Sequence, residues 1–427
     1  MPRDKHTVSK ADIDDNALKV LNRLNSSGFE AYLVGGSIRD LLLKKSPKDF
    51  DVATNATPNE IKRLFRNARI IGRRFKLVHV LFGRGVVEVA TFRGTEALDD
   101  DIKTNERGML IRDNVYGTLN QDAWRRDFTI NSLYYNIQDS SIVDFTNGVN
   151  DIKLKQIRMI GEPEKRYQED PVRMLRAIRF AAKLHFTIES ATAKPIKPLA
   201  HLISHVSSSR LFDEMTKLYQ CGEGEAAHDL LVSHGLFDLL FPDAAKLLKL
   251  NHTNAQTLTK LALESTDNRL KDDKTVNPAF LFAVLLWFPL RNTVDALINE
   301  GKLDPLPAIE KGMSIVLSKQ CGITAIPKRF TQVIREIWLL QYRFQKRQGN
   351  RAYHLLGHPR FRAAYDFLAL RALANDEDIE LANWWTTFQE ADDDTKKTMV
   401  DAINASDVKK PKRRRKKKPS TPPTSAS

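Results

Sequence analysis

The hydrophobic pattern changes character near residue 165, and that change limits the architectures open to the chain. Before it, short apolar or alternating runs separated by turn residues read as strands, at 31–34, 49–53, 79–83, 86–92 and 133–145. Leu18, Leu21 and Leu24 fall at helical spacing ahead of the first strand, and Thr57-Pro58 opens another helix. After residue 165 long amphipathic stretches dominate, among them 171–184, 208–219 and 331–348, and strand signals nearly vanish. The expectation is an α+β chain: a mixed head followed by an all-helical body. Residues 94–112 are polar and aperiodic and read as a mobile loop near the site. No repeat of fixed period is present. The expected divisions are a flexible leader over 1–15, a head over 16–160, a helical neck over 161–240, a helical body over 241–407 and a disordered basic tail over 408–427.

Charge narrows the function classes. The chain has 427 residues and a formal net charge of +14. Nine positive charges lie in Lys409, Lys410 and the unbroken run 412–418, which leaves +5 on the rest. Like-charge blocks of this kind are often interaction tails, so a polyanionic partner is expected, with a merely solubilising tail as the alternative. The longest apolar run, 279–288, is about half of the roughly 20 residues needed to span a bilayer, so no membrane is expected. The first ten residues lack the apolar segment of a secretory signal. Cys221 and Cys321 stand in no metal or redox spacing. A cytoplasmic monomer is the expectation.

Three clusters carry chemistry. Gly35-Gly36-Ser37-Ile38-Arg39-Asp40 lies between an expected strand and helix, where glycines allow close approach to a phosphate and Arg39 can clamp one of its oxygens. Taken alone it reads equally well as a turn. Asp49-Phe50-Asp51 follows. On a strand, residues i and i+2 share a face, so the two carboxylates crowd together, and Mg²⁺ relieves that crowding. Arg125-Arg126-Asp127 suggests a charged pocket wall in which Arg126 reaches a triphosphate and Asp127 holds that arginine or approaches the metal. An ordinary salt-bridged turn is the alternative. Glu88 is a further strand carboxylate, either metal-facing or paired with an arginine. Asp170 and Pro171 read as N-cap and first residue of a helix on which Arg173, Arg176 and Arg179 form one stripe.

Together these motifs, in this order and spacing over about residues 20–240, resemble the class II tRNA nucleotidyltransferase and bacterial poly(A) polymerase family. The resemblance implies a polymerase-β-like nucleotidyltransferase head. It implies that Gly35, Gly36 and Arg39 hold a nucleoside triphosphate and that Asp49 and Asp51 bind catalytic Mg²⁺, with Mn²⁺ as a substitute. It further implies that Arg126 contacts the nucleotide, that Asp127 is a further catalytic carboxylate, and that Asp170 and Arg173 read the base edge with Arg176 in support. Two-metal, in-line transfer of AMP from ATP to RNA 3′ ends follows from it. Within the family, 70–80 and 112–118 are similar to segments that mark the poly(A) polymerases rather than the CCA-adding enzymes. In the first of these Arg73, Arg74 and Lys76 supply a basic patch suited to RNA phosphate. A CCA-adding enzyme is the alternative, and an inactive RNA-binding protein the second.

The remainder fits the same assignment. Lys412, Arg413, Arg414 and Arg415 in the tail are expected to add salt-sensitive RNA affinity. A C-terminal RNA-binding domain is expected within the body, where Lys328, Arg329, Arg335, Arg343, Lys346, Arg347 and Arg351 interleave with Trp338, Tyr342 and Phe344. Trp338 is expected in the core. His228-Asp229 lacks further metal-ligand partners and reads as helix surface.

Overall fold

A computed structural model describes residues 1–72, 76–94, 102–104, 110–113, 115–250, 252–301 and 303–408, with only the backbone at 102–104, 110–113 and 406–408. Arg73, Arg74 and the tail residues Lys412, Arg413, Arg414 and Arg415 lie outside the described residues. The chain forms two compact units. The first comprises Met1–Lys246, Leu263–Val276 and Ser318–Ile326, and the second Leu247–Ala262, Asn277–Leu317 and Pro327 onward. The return of two helical segments to the first unit has no signal in local periodicity. Asp267 fixes one of them by accepting from the backbone N–H groups of Gly224 at 2.8 Å and Glu225 at 3.2 Å. Gln320 fixes the other by donating to the Leu240 carbonyl at 2.8 Å.

The first unit begins with α1 (Asp15–Ser26), whose N-terminal N–H groups are capped by Asp14. Its apolar face, Ala17, Val20, Leu21 and Leu24, is fully buried. There follow β1 (Ala31–Val34), α2 (Gly36–Leu42), β2 (Asp51–Thr54), α3 (Pro58–Leu64), β3 (Ala68–Ile71), β4 (Leu77–Phe82) and β5 (Gly85–Thr91). Thr57 and Glu60 form a capping box at the start of α3, with Pro58 in its first turn. A two-stranded antiparallel pair, β6 (Ile102–Thr104) and β7 (Leu110–Asp113), stands where an aperiodic loop was expected. Backbone pairing overrides the weak local signal there, and residues 95–101 and 105–109 of the expected loop are outside the described set. Next come α4 (Leu119–Arg125), β8 (Leu133–Tyr135) and β9 (Ile142–Asp144).

Seven strands make one sheet in the order β3-β4-β5-β2-β1-β8-β9. All neighbours are antiparallel except β2 and β5, which run parallel with Val52 opposite Val89. Val34, Ala53, Phe92, Ala123 and Tyr134 form a core cluster that joins the sheet to α4. There follow α5 (Gly148–Lys153), α6 (Pro163–Glu169) and α7 (Val172–Leu184), then helices Ser208–Tyr219 and Gly224–Ser233. On the last of these Asp229 is exposed, but His228 is buried, correcting the surface reading. It packs edge-on against Phe237 at 4.7 Å and lies 3.1 Å from the Tyr219 hydroxyl, and burial pulls its imidazole down to about 4.

The second unit is helical, as the pattern after residue 165 implies. Its core gathers Leu340, Phe344, Phe361, Leu368, Trp385 and Phe388. Trp338 is buried and donates to the Ala283 carbonyl at 3.0 Å; Phe344 is likewise buried. Among the described residues no single helix is long and apolar enough to cross a membrane. One pair, Pro278–Leu285 and Trp287–Asn299, passes that test together but is bent by 47°.

Candidate active site

A cleft of about 280 Å³ opens above the β1–β2–β5 part of the sheet. Five arginines line it (Arg93, Arg125, Arg126, Arg166 and Arg173), with four carboxylates, Asp51, Glu88, Asp122 and Asp170.

The carboxylate pairing differs from the one the sequence suggests. Strand β2 starts at Asp51, so Asp49 sits just ahead of it, exposed in the connecting segment and not on the strand. The partner comes instead from β5. Val52 is in register with Val89, so Asp51 and Glu88 occupy the next rung of the same parallel ladder and share its other face. Asp51 keeps exposed surface at the start of its strand, although protein surrounds much of its carboxyl. Desolvation by the surrounding protein pushes its carboxyl up to about 6; Glu88 and Asp49 add to the rise, and Arg126 opposes it. Glu88 is also within 3.2 Å of the His79 imidazole.

The arginine wall is cross-linked by hydrogen bonds. Thr118 and Gln121 form a capping box that starts α4, and Arg126 lies at its end. Arg126 donates to Asp122, one turn earlier, at 3.0 and 3.1 Å and to the Tyr134 hydroxyl at 2.8 Å. The same Asp122 oxygen accepts from Tyr134 at 2.6 Å, while its other oxygen accepts from the Arg93 backbone N–H at 3.1 Å. Burial works against the Arg126 charge, but Asp122 and Tyr134 outweigh it, and its proton is held more tightly than usual. Burial, then Arg93 and Arg166, pull Arg125 down to about 10, the mark of a crowded cationic wall. Arg166 donates to the carbonyls of Arg125 and Arg126 at 2.6 and 2.7 Å and to Glu169 at 2.8 Å. Arg173 joins the same carboxylate at 2.9 Å.

Behind this wall lies a second network, and several residues expected at the nucleotide belong to it. Arg39 is 3% exposed. Its guanidinium donates to Asp40 at 2.8 and 2.9 Å and to Asn131 at 2.6 Å. Asn131 donates to Asp127 at 3.2 Å, and Arg176 donates to the other Asp127 oxygen at 2.7 Å. Arg39, Arg176 and Arg179 all lie over the Phe180 ring, 4.6–5.3 Å from its centroid. Asp127 is mostly enclosed by protein, which alone would raise its carboxyl, yet Arg176, Asn131 and the Phe128 N–H hold it down to about 2. Neither Asp127 nor Arg39 nor Arg176 lines the cleft. They fix α2 and α7 to the turn between α4 and β8.

Gly35 has φ +78°, a conformation that favours glycine, and a Cβ there would lie 3.6 Å from an Arg126 nitrogen. Gly36 lies against Arg39 in the same way at 3.4 Å. Asp170 does reach the cleft, but it is not the expected side-chain cap of α7. Its two oxygens accept from Arg210, on helix Ser208–Tyr219, at 3.0 and 3.1 Å, and Pro171 occupies the cap position. Lys76 is exposed next to Leu77, which lines the cleft. Sequence reasoning missed Asp122, Tyr134, Arg166 and Arg210. Of these only Asp122 carries a local signal, its i,i+4 spacing to Arg126 on a helix.

The residues fit a divalent ion of the Mg²⁺ or Mn²⁺ type. Asp51, whose carboxyl is pushed up with Glu88 and Asp49 beside it, is the kind of group that such an ion relieves, and these donors are all oxygen. Among the described residues there is no group of three or more protein ligands.

Comparison with known proteins places this geometry in a family. Residues 31–158 match the Poly A polymerase head domain, 185–248 the probable RNA and SrmB-binding site of polymerase A, and 301–419 the polymerase A arginine-rich C-terminus. Poly(A) polymerase I of Salmonella typhi is 48% identical over 411 residues, covering 95% of this chain and 88% of that protein. The CCA-adding enzyme of Lactobacillus helveticus is 41% identical over 207 residues, which is 48% of this chain and 50% of that one. A solved tRNA-processing enzyme with CTP shares the fold, with a TM-score of 0.58 and 20% identity over 91% of this chain and 98% of that one. The chain belongs to the bacterial poly(A) polymerases of the class II tRNA nucleotidyltransferase and poly(A) polymerase family.

Proposed function

We propose that this chain is a polynucleotide adenylyltransferase that joins AMP from ATP to RNA 3′ ends without a template and releases pyrophosphate. The observation that carries the reading is the carboxylate pair Asp51 and Glu88 facing a wall of five arginines across one cleft. A triphosphate needs the cations and the metal site needs the acids, and the chemistry takes place where the two meet. The chemistry a divalent ion would supply at Asp51, with Asp49 and Glu88 beside it, is Lewis-acid activation of the RNA 3′-hydroxyl and charge balance at the α-phosphate. The 3′ oxygen then displaces pyrophosphate from the α-phosphorus, and no covalent enzyme intermediate is needed.

Arg126, fixed by Asp122 and Tyr134, and Arg125 take the phosphates. Gly35 leaves the space beside Arg126 free of a side chain. Arg173 and Asp170 take the base edge, with Arg210 setting the orientation of the carboxylate. Arg39, Asp127 and Arg176 act by position, holding the helices that carry these groups. Arg73, Arg74, Lys76 and the tail are assigned to RNA phosphate. The same reading places the enzyme in the cytoplasm as a monomer.

The 48% identity over nearly the whole chain favours a poly(A) polymerase over a CCA-adding enzyme, whose match covers about half of it. Primer extension tests the choice, using a non-tRNA oligoribonucleotide, Mg²⁺ and each nucleoside triphosphate separately. Long products with ATP alone are expected. Extension confined to a tRNA acceptor end and stopping after C-C-A would make the chain a CCA-adding enzyme.

A further inference from the structure

The second unit holds a concave basic site apart from the cleft. Helix Lys328–Phe344 ends in a turn, and helix Arg351–Leu356 follows it. Arg343 and Lys346 from the first side of that turn and Arg351, His354 and His358 from the second line a groove of about 300 Å³, floored by Leu355.

The groove gathers its charges in one place, whereas other arginines of the unit that lack a carboxylate among the described residues stand apart on other partners, Arg335 on the Ser314 hydroxyl at 3.2 Å and Arg329 over the Phe330 ring at 4.8 Å. Arg291, Arg360, Arg362 and Arg371 each have a carboxylate at 2.7–3.3 Å. Arg343, Lys346 and Arg351 have no carboxylate within ion-pair distance among the described residues, and no acid lines the groove. Like charges brought together without counter-charge repel one another, which costs stability unless a polyanion is the intended partner. Position at a helix C-terminus accounts for Arg343 and His354, which lie in the last turns of their helices, but not for Lys346 or Arg351.

The groove is also built. The Asn404 side chain accepts from the Gly349 backbone N–H at 3.2 Å and pins the connecting turn. The Arg347 guanidinium lies 5.2 Å from the Trp384 ring centroid, which anchors the turn a second time. His358 accepts from the Arg360 N–H through Nδ1 at 3.0 Å, so in the neutral ring Nε2 carries the proton and acts as a donor. The site thus offers donors and positive charge and no acidic acceptor. Its apolar floor is a single leucine, too little to stack bases.

We infer that Arg343, Lys346, Arg351, His354 and His358 form a phosphodiester-binding groove for single-stranded RNA, a contact on the RNA chain additional to that of the adenylyl-transfer cleft. The choice of RNA as the polyanion rests on the function proposed above; the anion site itself does not.

The test is binding, without ATP or divalent metal, so that it is independent of catalysis. The full chain is titrated with a labelled single-stranded oligoribonucleotide across a range of NaCl concentrations. Arg343→Gln/Lys346→Gln/Arg351→Gln removes three phosphate contacts and is expected to lower the slope of log K against log salt by about 2, at roughly 0.7 per contact for single strands. That change weakens binding by about 100-fold for a tenfold drop in salt below the point where the two proteins bind alike. Arg343→Lys/Arg351→Lys keeps the charge and is expected to keep the slope, while an unchanged thermal unfolding midpoint shows that the triple variant is folded. An unchanged slope in the folded triple variant overturns the inference. Equal loss in the lysine variant does so too, because shape and not charge is then at work. Loss of ATP binding, or of binding to vesicles of anionic phospholipid, with RNA binding intact would assign the groove to another ligand. Loss of RNA binding by the triple variant in a chain that fails to extend primers would leave the groove standing and remove the proposed reaction instead.

Discussion

Replacing Asp127 by Asn removes one charge from a buried network while preserving its shape. Asp127 accepts from Arg176, Asn131 and the Phe128 N–H, and its side chain is 12% exposed. Its carboxyl is held at about 2 against a normal 3.8, which corresponds to about 2.5 kcal/mol favouring the charged form. Breaking a buried pair by removing one partner costs about 3–5 kcal/mol, because the remaining charge is stranded. The expected loss is therefore about 2.5–5 kcal/mol, concentrated where Arg176 sits, on α7. Hydrogen exchange of peptides from Val172–Leu184 reads this directly: protection falls about 70-fold or more, at tenfold for each 1.36 kcal/mol. The sign with pH is fixed. A depressed acid contributes stability above its unfolded value, and that stability is lost as the pH falls towards 2. Parent and variant should therefore converge in acid. Adding Arg176→Met to the variant should recover part of the loss. Protection within about threefold of the parent at neutral pH would refute the reasoning, since it is far less than the calculated energy allows.

Four further outcomes are expected. Asp51→Ala abolishes adenylate transfer while RNA binding survives, and substantial turnover by that variant would sink the metal assignment. Because the Asp51 carboxyl is pushed up to about 6, protons compete there with a divalent ion. The Mg²⁺ concentration for half-maximal activity should rise below that pH, approaching about tenfold per unit, and a requirement flat with pH would contradict it. Gly148→Ala drives a Cβ into the Thr129 carbonyl oxygen, behind the turn that carries Asn131. It should cost about 1–3 kcal/mol, measurable as a lowered unfolding midpoint of the first unit. Deleting residues 408–427 should weaken RNA affinity and flatten its salt dependence; an unchanged slope would show that the tail is not used.

Much of the molecule was legible in the chain because it is written in local patterns. Alternation gave most of the strands of the head, and helical spacing gave the body, since each pattern records which face of an element meets the core. Residue type and spacing also singled out Asp51, Arg126, Asp170 and Arg173, and all four line the cleft. The tertiary structure decided what depends on partners distant in sequence. Asp51 meets Glu88 because β2 and β5 happen to be parallel neighbours in register, and no i,i+2 rule on one strand contains that fact. Asp170 is held by Arg210, forty residues on, so it does not cap the helix it precedes. Arg39 and Asp127 carry the right chemistry for a nucleotide site, yet each is committed to partners behind the wall. A local pattern fixes the side of an element on which a charge lies. Which opposite charge it meets there is set by strand order and helix packing, where burial penalises any arrangement that leaves it unpaired.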